Sequence, residues 1–276
     1  MRVRAAARTD TGRRRSNNED ALFVDEGLGL FVVADGLGGH ASGEVASRLA
    51  METIREQISA WAAGGPPPPA LGAPVEGVSE GANHLVNTIR FANQVIHGAA
   101  GSRPQYQGMA TTVVAALVLG RRVALAHVGD SRIYRIRDRK LEQLSRDHSL
   151  VQDQVALGLI TEDEAAVSPQ RNVVTRALGM EPTVQVDVQE QEAREDDILL
   201  LCSDGLSDMV DDPVMREAVV QAGEDIDGAC GALVELANAR GGKDNITAVL
   251  VRFTEGEGAP EGAGGRPGFW RRLLGT

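Results

Sequence analysis

Apolar residues in this chain of 276 residues fall into two kinds of run. Apolar stretches at 30–34, 123–128 (interrupted only by His127) and 198–202 are short and predict strands buried on both faces. Residues 1–34 read as strand, turn, strand, strand. Residues 111–119 and 133–136 add β-branched and apolar runs, with Gly120-Arg121 as a turn. Helical spacing takes over elsewhere. Val45, Leu49, Ile54 and Ile58 predict a helix over 42–61 with Ser42 as its N-cap. Leu85, Val86, Ile89, Val95 and Ile96 predict another over 79–98. Between them, Gly64-Gly65 and Pro66 to Pro69 place a loop over 62–78.

Residues 145–181 interrupt the strand series with a polar stretch. It carries helical propensity at 150–157 and a second helix from Thr161, where Thr161 and Glu164 have capping-box spacing. Strands resume at 184–188 and 198–202, helices follow at 213–221 and 226–239, and a last strand spans 246–253. Gly, Pro and acid dominate 255–268, the composition of a flexible linker. Phe269-Trp270-Arg271-Arg272-Leu273-Leu274 close the chain, either as a frayed end or as a segment touching a partner or lipid surface. Pattern alone gives an α+β class.

Acids recur at the ends of the apolar runs: Asn18-Glu19-Asp20, Asp35-Gly36, Gly129-Asp130-Ser131, Ser203-Asp204-Gly205-Leu206 and Asp244-Asn245. A carboxylate closed over without a partner is costly. Strands ending together gather these acids at one sheet edge, where mutual repulsion calls for a cation. All-oxygen ligands suit Mg2+ or Mn2+.

Composition narrows the partners. Lys plus Arg number 28 against 39 Asp plus Glu, a net charge of −11 that disfavours general binding to nucleic acid or anionic lipid. Cys202 and Cys230, two unclustered cysteines, make neither a disulfide framework nor a zinc site. Met1-Arg2-Val3-Arg4 lacks the apolar stretch of a signal peptide, and no run approaches a membrane span, so a cytoplasmic protein is expected.

Taken in order, the motifs become specific. Thr9-Asp10-Thr11-Gly12 with Arg15 and Asn18-Glu19-Asp20, then Ala34-Asp35-Gly36-Leu37-Gly38-Gly39-His40, resemble the first two motifs of the metal-dependent protein phosphatases, the protein phosphatase 2C type. Gly108-Met109-Ala110-Thr111-Thr112, Val128-Gly129-Asp130-Ser131-Arg132, the Ser203 motif and Gly242-Lys243-Asp244-Asn245-Ile246-Thr247 follow in the same family's order.

The resemblance covers about residues 3 to 254. It implies a four-layer αββα sandwich, two antiparallel sheets flanked by helix pairs, with an inserted flap subdomain at about 145–181. The domain division it implies is 1–255 catalytic and 256–276 a flexible tail. The implied activity is hydrolysis of phosphoserine and phosphothreonine in proteins, by a hydroxide activated by two Mn2+ or Mg2+ ions.

Carried over by position, Asp35, Asp204 and Asp244 match carboxylates that hold the two core ions, and Gly36 the residue whose carbonyl joins them. Glu19 and Asp20 match acids beside the site, Glu19 acting through water. Asp130 with Asp204 matches a weaker third site found in bacterial members. Arg15 matches the arginine that grips the substrate phosphate, its planar donor fork suiting phosphate oxygens.

Where eukaryotic relatives place a histidine after Asp-Gly, proposed as general acid, this chain has Leu37. His40 is assigned a structural role, and His127 that of a satisfied core histidine. His148 and Ser149 are assigned to capping at the start of the flap. Asp10 is expected to orient Arg15. Asp208, Asp211 and Asp212 are expected to mark a turn and helix start, Asn245 to steady Asp244, and Thr111 and Thr112 to serve as strand residues. The expected partners are phosphorylated proteins, including a Ser/Thr kinase or its substrates, met by a monomer. Two other readings share these residues: an inactive relative serving as a regulatory binding module, and a small-molecule phosphoesterase. The first is disfavoured because Arg15, Asp35, Gly36, Asp204 and Asp244 are all present.

Overall fold

Eleven strands form two antiparallel sheets in the computed structural model, which describes residues 1–38, 41–102 and 104–254. In chain order the elements are β1 (Arg2–Asp10), β2 (Asp20–Asp25), β3 (Leu30–Leu37), α1 (Ala41–Ala62), α2 (Glu80–Ser102), β4 (Ala110–Thr111), β5 (Val113–Leu119), β6 (Arg122–Val128), β7 (Arg132–Arg137) and β8 (Lys140–Gln143). There follow α3 (Leu150–Ala156), α4 (Glu162–Ala166), β9 (Asp187–Glu192), β10 (Ile198–Cys202), α5 (Asp204–Ser207), α6 (Asp212–Ala222), α7 (Ile226–Ala239) and β11 (Ile246–Thr254). One sheet has the order β1-β11-β10-β7-β8. The other runs β2-β3-β5-β6-β9, with β4 paired to β3.

Strand alternation divides the core into three apolar layers. Leu30, Val32 and Ala34 of β3 face α1 and α2, where Ile54, Ile58, Leu85 and Ile89 are fully buried. Phe31 and Val33 point the other way and meet Leu199, Leu201, Val249 and Val251 of the facing sheet. Leu200, Ala248 and Leu250 then turn outward onto Leu233 of α7 and Met215 of α6. A strand with apolar layers on both sides admits a polar residue only where it finds a partner, which keeps these runs apolar except for His127, whose Nε2 meets the Arg146 carbonyl at 2.9 Å. Each large side chain so buried contributes about 1.5–3 kcal/mol of transfer free energy. The layers are helices, sheet, sheet, helices, as expected.

Two local expectations are corrected. Ser42 does not cap α1; it lies inside the first turn, and its hydroxyl donates to the Gln105 carbonyl at 3.2 Å. The strand expected at 184–188 is β9, Asp187–Glu192, three residues later. Val184 and Val186 pack on the α1–α2 layer without entering the ladder. The ladder instead follows a polar edge strand that pairs Asp187 with His127 and Glu192 with Arg122. The two helices expected in 145–181 are α3 and α4, and the Thr161–Glu164 capping box is formed. His40 and residues 255–276, including the tail expected from 256, lie outside the described residues.

Candidate metal centre and active site

Register brings the acids to one end of the sandwich. Asp20 and Asp35 face each other directly across β2 and β3. Val33 pairs with Val114 and Val113 with Val128, so the Gly129–Asp130 turn leaves β6 at the same end as Asp35. In the other sheet Cys202 pairs with both Arg132 and Ala248, which sets Asp204, just past β10, beside the start of β7 and the start of β11. Asp244 lies two residues before β11, and Asp10 closes β1 opposite Ile246. Asp204 is the first residue of α5, behind Ser203.

Burial and mutual charge perturb these carboxyls. Asp35 is pushed well above the carboxylate range by burial first, then by the charges of Asp20, Asp204, Asp130 and Asp244. Asp204 is raised in the same way, by burial and then by Asp130, Asp208, Asp244 and Asp20. Burial and the charge of Asp244 push Asp20 up to about 6, even though two hydroxyls donate to it. Asp130 is also pushed up to about 6, by burial and the charge of Asp147. Buried carboxyls that repel one another raise each other's pKa values. Oδ1 of Asp20 and Oδ1 of Asp204 are buried and accept no hydrogen bond. Unpartnered buried oxygens of this kind are rare in folded proteins and ask for a ligand. Hard oxygens beside repelling charges fit Mg2+ or Mn2+.

The surroundings hold the acids firmly. Oδ2 of Asp20 accepts from Ser203 Oγ at 2.8 Å and from Thr247 Oγ1 at 2.6 Å. The backbone of Asp35 is clamped by two threonines. Its N–H donates to Thr112 Oγ1 at 3.1 Å, while its carbonyl accepts from Thr112 N at 2.9 Å and Thr111 Oγ1 at 2.8 Å. Thr111 and Thr112 are therefore strand residues with a second task. Thr112 Oγ1 also meets Ser131 Oγ at 2.7 Å, next to Asp130. Asn245 ties the opening loop to β11: its Oδ1 accepts from Glu19 N at 2.7 Å, and its Nδ2 donates to the carbonyls of Thr11 and Asn17 at 3.0 and 2.9 Å. Gly36 is packed against the backbone of Gly43 and Glu19 so closely that a Cβ there overlaps Gly43 O. Only glycine fits such an approach. Glu19 is buried, its carbonyl accepting from Gly36 N at 3.2 Å and Ser47 Oγ at 2.5 Å.

Arg15 reaches the same place from the loop after β1. Its Nη2 donates to Asp244 Oδ2 at 2.6 Å, and its side chain stays 50% exposed, open to a ligand from solvent. Asp10 does not orient it. The Asp10 carboxylate instead accepts from Gly12 N at 2.8 Å and Asn238 Nδ2 at 3.0 Å, because the turn at Gly12 folds it back on its own loop. Asp211 precedes α6 as its N-cap residue, as expected of a helix start. Asp208 lies in the turn that closes α5, also as expected, and its carboxylate accepts from Asn172 Nδ2 at 3.0 Å. A cleft of about 570 Å³ opens between this end of the sandwich and residues 149–172. Asp130, Asp204 and Asp208 line one side, and Ser149, Arg171 and Asn172 the other.

Ser149 caps α3, as expected. The sequence places Ser131, Ser203 and Thr247 inside the acid-bearing motifs but assigns them no role; the structure makes them hydroxyl partners of Thr112 and Asp20. Cys202 and Cys230 are free and buried, burial pushing both thiols up to about 12. A second cluster, His127, His148 and Asp187, has ligand-type atoms within 4.8 Å of one another. Its cation is already present. Arg176 Nη1 stands 2.7 Å from Asp187 Oδ1 and 2.9 Å from His148 Nε2. The two imidazoles stack at 13°, so their nitrogen lone pairs lie in nearly parallel planes and do not converge.

Sandwich, acid cluster and motif order define one family, and comparison with known proteins agrees. The sequence profile of the family described as protein phosphatase 2C matches residues 9–236, and the chain belongs to that family. It is 40% identical over 255 residues to the serine/threonine protein phosphatase PstP of Mycobacterium tuberculosis, a match that takes in 90% of this chain and 45% of that protein. The chain thus spans about half the length of that relative. It is 37% identical over 252 residues to the serine/threonine phosphatase stp of Listeria monocytogenes, covering 90% of this chain and 95% of that one. The catalytic domain of PstP in complex with two manganese ions superposes with a TM-score of 0.77 at 36% identity, over 92% of this chain and 99% of that chain. Among the described residues no helix is long and apolar enough to cross a membrane.

Proposed function

We infer that this chain is a metal-dependent protein serine/threonine phosphatase that hydrolyses phosphoserine and phosphothreonine with the help of two Mn2+ or Mg2+ ions. The observation that carries the reading is the set of buried, mutually repelling aspartates whose Asp20 Oδ1 and Asp204 Oδ1 have no partner. Asp35, Asp204 and Asp244, with the Gly36 carbonyl, hold the core ions. Asp20 and Glu19 support them from β2, and Asp130 with Asp204 offers a weaker third position. When bound, the ions supply Lewis acidity and a water acidic enough to act as nucleophile at neutral pH.

The rest belongs to the chain's own residues. Arg15, half exposed beside Asp244, presents its guanidinium fork to the phosphate oxygens and neutralises charge that grows on them during transfer. Thr111 and Thr112 keep Asp35 from moving as charge redistributes. Leu37, at the position after Gly36, brings no proton, so the leaving hydroxyl takes its proton from water. Residues 145–181 act as the flap: they wall the cleft opposite Asp130 and Asp204 and receive the peptide around the phosphorylated residue.

Residues 1–255 form the catalytic domain under this reading, working as a cytoplasmic monomer on phosphorylated proteins, a Ser/Thr kinase or its substrates among them. The test is phosphate release from matched phosphoserine, phosphothreonine and phosphotyrosine peptides and an aryl phosphate, with chelator and with Mn2+. Turnover of the first two peptides that depends on Mn2+ is the expected result. Turnover of the aryl phosphate alone makes the chain a small-molecule phosphoesterase, and no turnover with Mn2+ bound makes it a binding module.

A further inference from the structure

The Gly129–Asp130 turn is gripped from a direction the proposed metal centre does not explain. His148, at the start of the flap, holds both backbone groups of Gly129. Its N–H donates to the Gly129 carbonyl at 2.9 Å, and its Nδ1 accepts from Gly129 N–H at 3.0 Å. Gly129 N–H can only donate, so Nδ1 is the accepting nitrogen and the ring hydrogen sits on Nε2. Nε2 lies 3.4 Å from Asp187 Oδ2, at the first residue of β9; Arg176 Nη1, itself a donor and 2.9 Å from Nε2, gives its bond to Asp187 Oδ1 at 2.7 Å rather than to the ring. The far side of the turn is close-packed. Gly129 has φ 106°, and a Cβ there would lie 2.6 Å from the Thr112 side chain, so only glycine fits at this position.

Both ends of the flap therefore meet at one imidazole. Its start supplies His148 itself, its last residues supply Arg176, and Thr175 N donates to the His148 carbonyl at 2.9 Å. His127 stacks on the ring at 4.8 Å and is held by its own bond to the Arg146 carbonyl at 2.9 Å. Next door, Asp147 receives Arg132 Nε and Nη2 at 3.0 and 2.7 Å, a second strut between flap and β7.

We propose that His148 is a positioning residue for Asp130: by gripping Gly129 through Nδ1 while Asp187, itself fixed by Arg176, faces its other edge, it sets the ion position that Asp130 shares with Asp204 from the two ends of the flap. This rests on the phosphatase reading and deepens it, because it ties the weakest ion position to the segment that faces the substrate. Outer partners that fix a ligand's orientation typically change metal affinity by 10- to 100-fold when removed.

Two substitutions separate the grip from mere packing. In His148→Asn the amide oxygen falls where Nδ1 was and keeps the bond from Gly129 N–H. In His148→Gln the amide reaches toward Asp187 and leaves Gly129 N–H without its acceptor. Both lose the stack on His127. Mn2+ titration calorimetry on the full chain, with electron paramagnetic resonance to count bound ions, reads the result; thermal melting in chelator checks folding. The expected outcome is three Mn2+ in the wild type. The weakest should bind about tenfold less tightly or worse in His148→Gln. In His148→Asn it should stay near wild type, with the two tighter ions unchanged in both. Equal weak-site affinity in the two variants overturns the proposal, as does a parallel loss of all three ions or a wild type that binds only two. Binding is read independently of turnover. Failure of the phosphatase reading, no phosphate release by a wild type loaded with Mn2+, is thus a separate result.

Discussion

Arg15 Nη2 stands 2.6 Å from Asp244 Oδ2, which pairs the residue proposed to bind phosphate with a residue proposed to bind metal. The guanidinium is a stand-in cation for Asp244 as well as a donor to substrate. Its charge is held by that contact first and by Glu19 and Asp35 at longer range. Removing it acts on both ligands in opposite senses. Arg15→Ala is expected to raise the KM for a phosphopeptide by about 10- to 100-fold, the range for losing charge-assisted bonds of roughly 1.5–3 kcal/mol. It also removes a competitor for Asp244, so Mn2+ binds at least as tightly as in the wild type. Steady-state kinetics with calorimetry checks both; weaker Mn2+ binding, or an unchanged KM, contradicts the assignment.

Asp35→Asn and Asp204→Asn separate function from stability. Each removes one charge from a buried, repelling set, so the variant is expected to melt at a higher temperature than wild type in chelator. Turnover with Mn2+ is expected to fall by on the order of 10²–10³ or more, the scale for losing a central electrostatic element. A variant that melts lower in chelator, or keeps near wild-type turnover, counts against the repulsion argument.

Acidity should act on the same cluster. Asp20 and Asp130 are both pushed up to about 6, above the ordinary aspartate value of 3.8. Without metal the folded state therefore binds protons more readily than the unfolded one. Their contribution to metal-free stability is fully present below about 3.8 and is lost as pH rises through about 6. Metal binding runs the other way, since protons and Mn2+ compete for the same oxygens. The apparent Mn2+ affinity is expected to be level above pH 7 and to fall steeply below 6, with protons released on binding. Calorimetry in buffers of different ionisation enthalpy measures that release. A flat affinity between pH 7 and 5 removes these two groups from the site.

His84 gives the opposite pH signature away from the site. It stacks on Trp61 with ring centroids 4.3 Å apart, and its buried Nε2 has no hydrogen-bond partner. Burial lowers it to about 4 from an ordinary 6.5. The unfolded chain takes up this proton first, so the stability associated with neutral His84 is complete above 6.5 and drains away as pH falls toward 4. His84→Phe is expected to flatten the acid side of a denaturation profile between those values. An unchanged slope there shows that His84 does not titrate across the transition.

How far the chain declares its own structure differs from element to element. The three central strands at 30–34, 123–128 and 198–202 are legible because both faces are buried, which leaves His127 as their one polar residue. Asp35 and Asp204 are legible because a carboxylate at the end of such a run has no structural reason to be there, and Asp244 because it stands just before another apolar run in the same motif order. β9 is not, because an edge strand with one wet face reads as Asp-Val-Gln-Glu-Gln-Glu and looks like loop. The hydroxyl clamps of Thr112, Ser131, Ser203 and Thr247 are equally silent, since serine and threonine are common and only register shows where they point. Asp10 misleads for a related reason: nearness in sequence to Arg15 does not survive the turn at Gly12.

The proline loop at 62–78 is fastened to α2 through its backbone. Asn87 accepts from Leu71 N at 2.7 Å and donates to the carbonyls of Pro68 and Pro69 at 3.3 and 3.0 Å. One turn earlier, Asn83 accepts from Val75 N at 2.7 Å and donates back to the Val75 carbonyl at 3.0 Å. Arg90 adds a bond to the Ala73 carbonyl at 3.0 Å. Prolines have no N–H of their own to pair, so these α2 side chains supply donors to their carbonyls. Asn87→Ala leaves Leu71 N–H without an acceptor and is expected to cost about 1–3 kcal/mol. It should expose 62–78 to limited proteolysis while phosphatase turnover with Mn2+ stays unchanged, because the side chains that fasten the loop, Asn83, Asn87 and Arg90, bond to its backbone and to none of the clustered acids. Protection equal to the wild type shows that the asparagine ladder does not hold the loop, and loss of turnover without loss of stability shows that the loop reaches the active site.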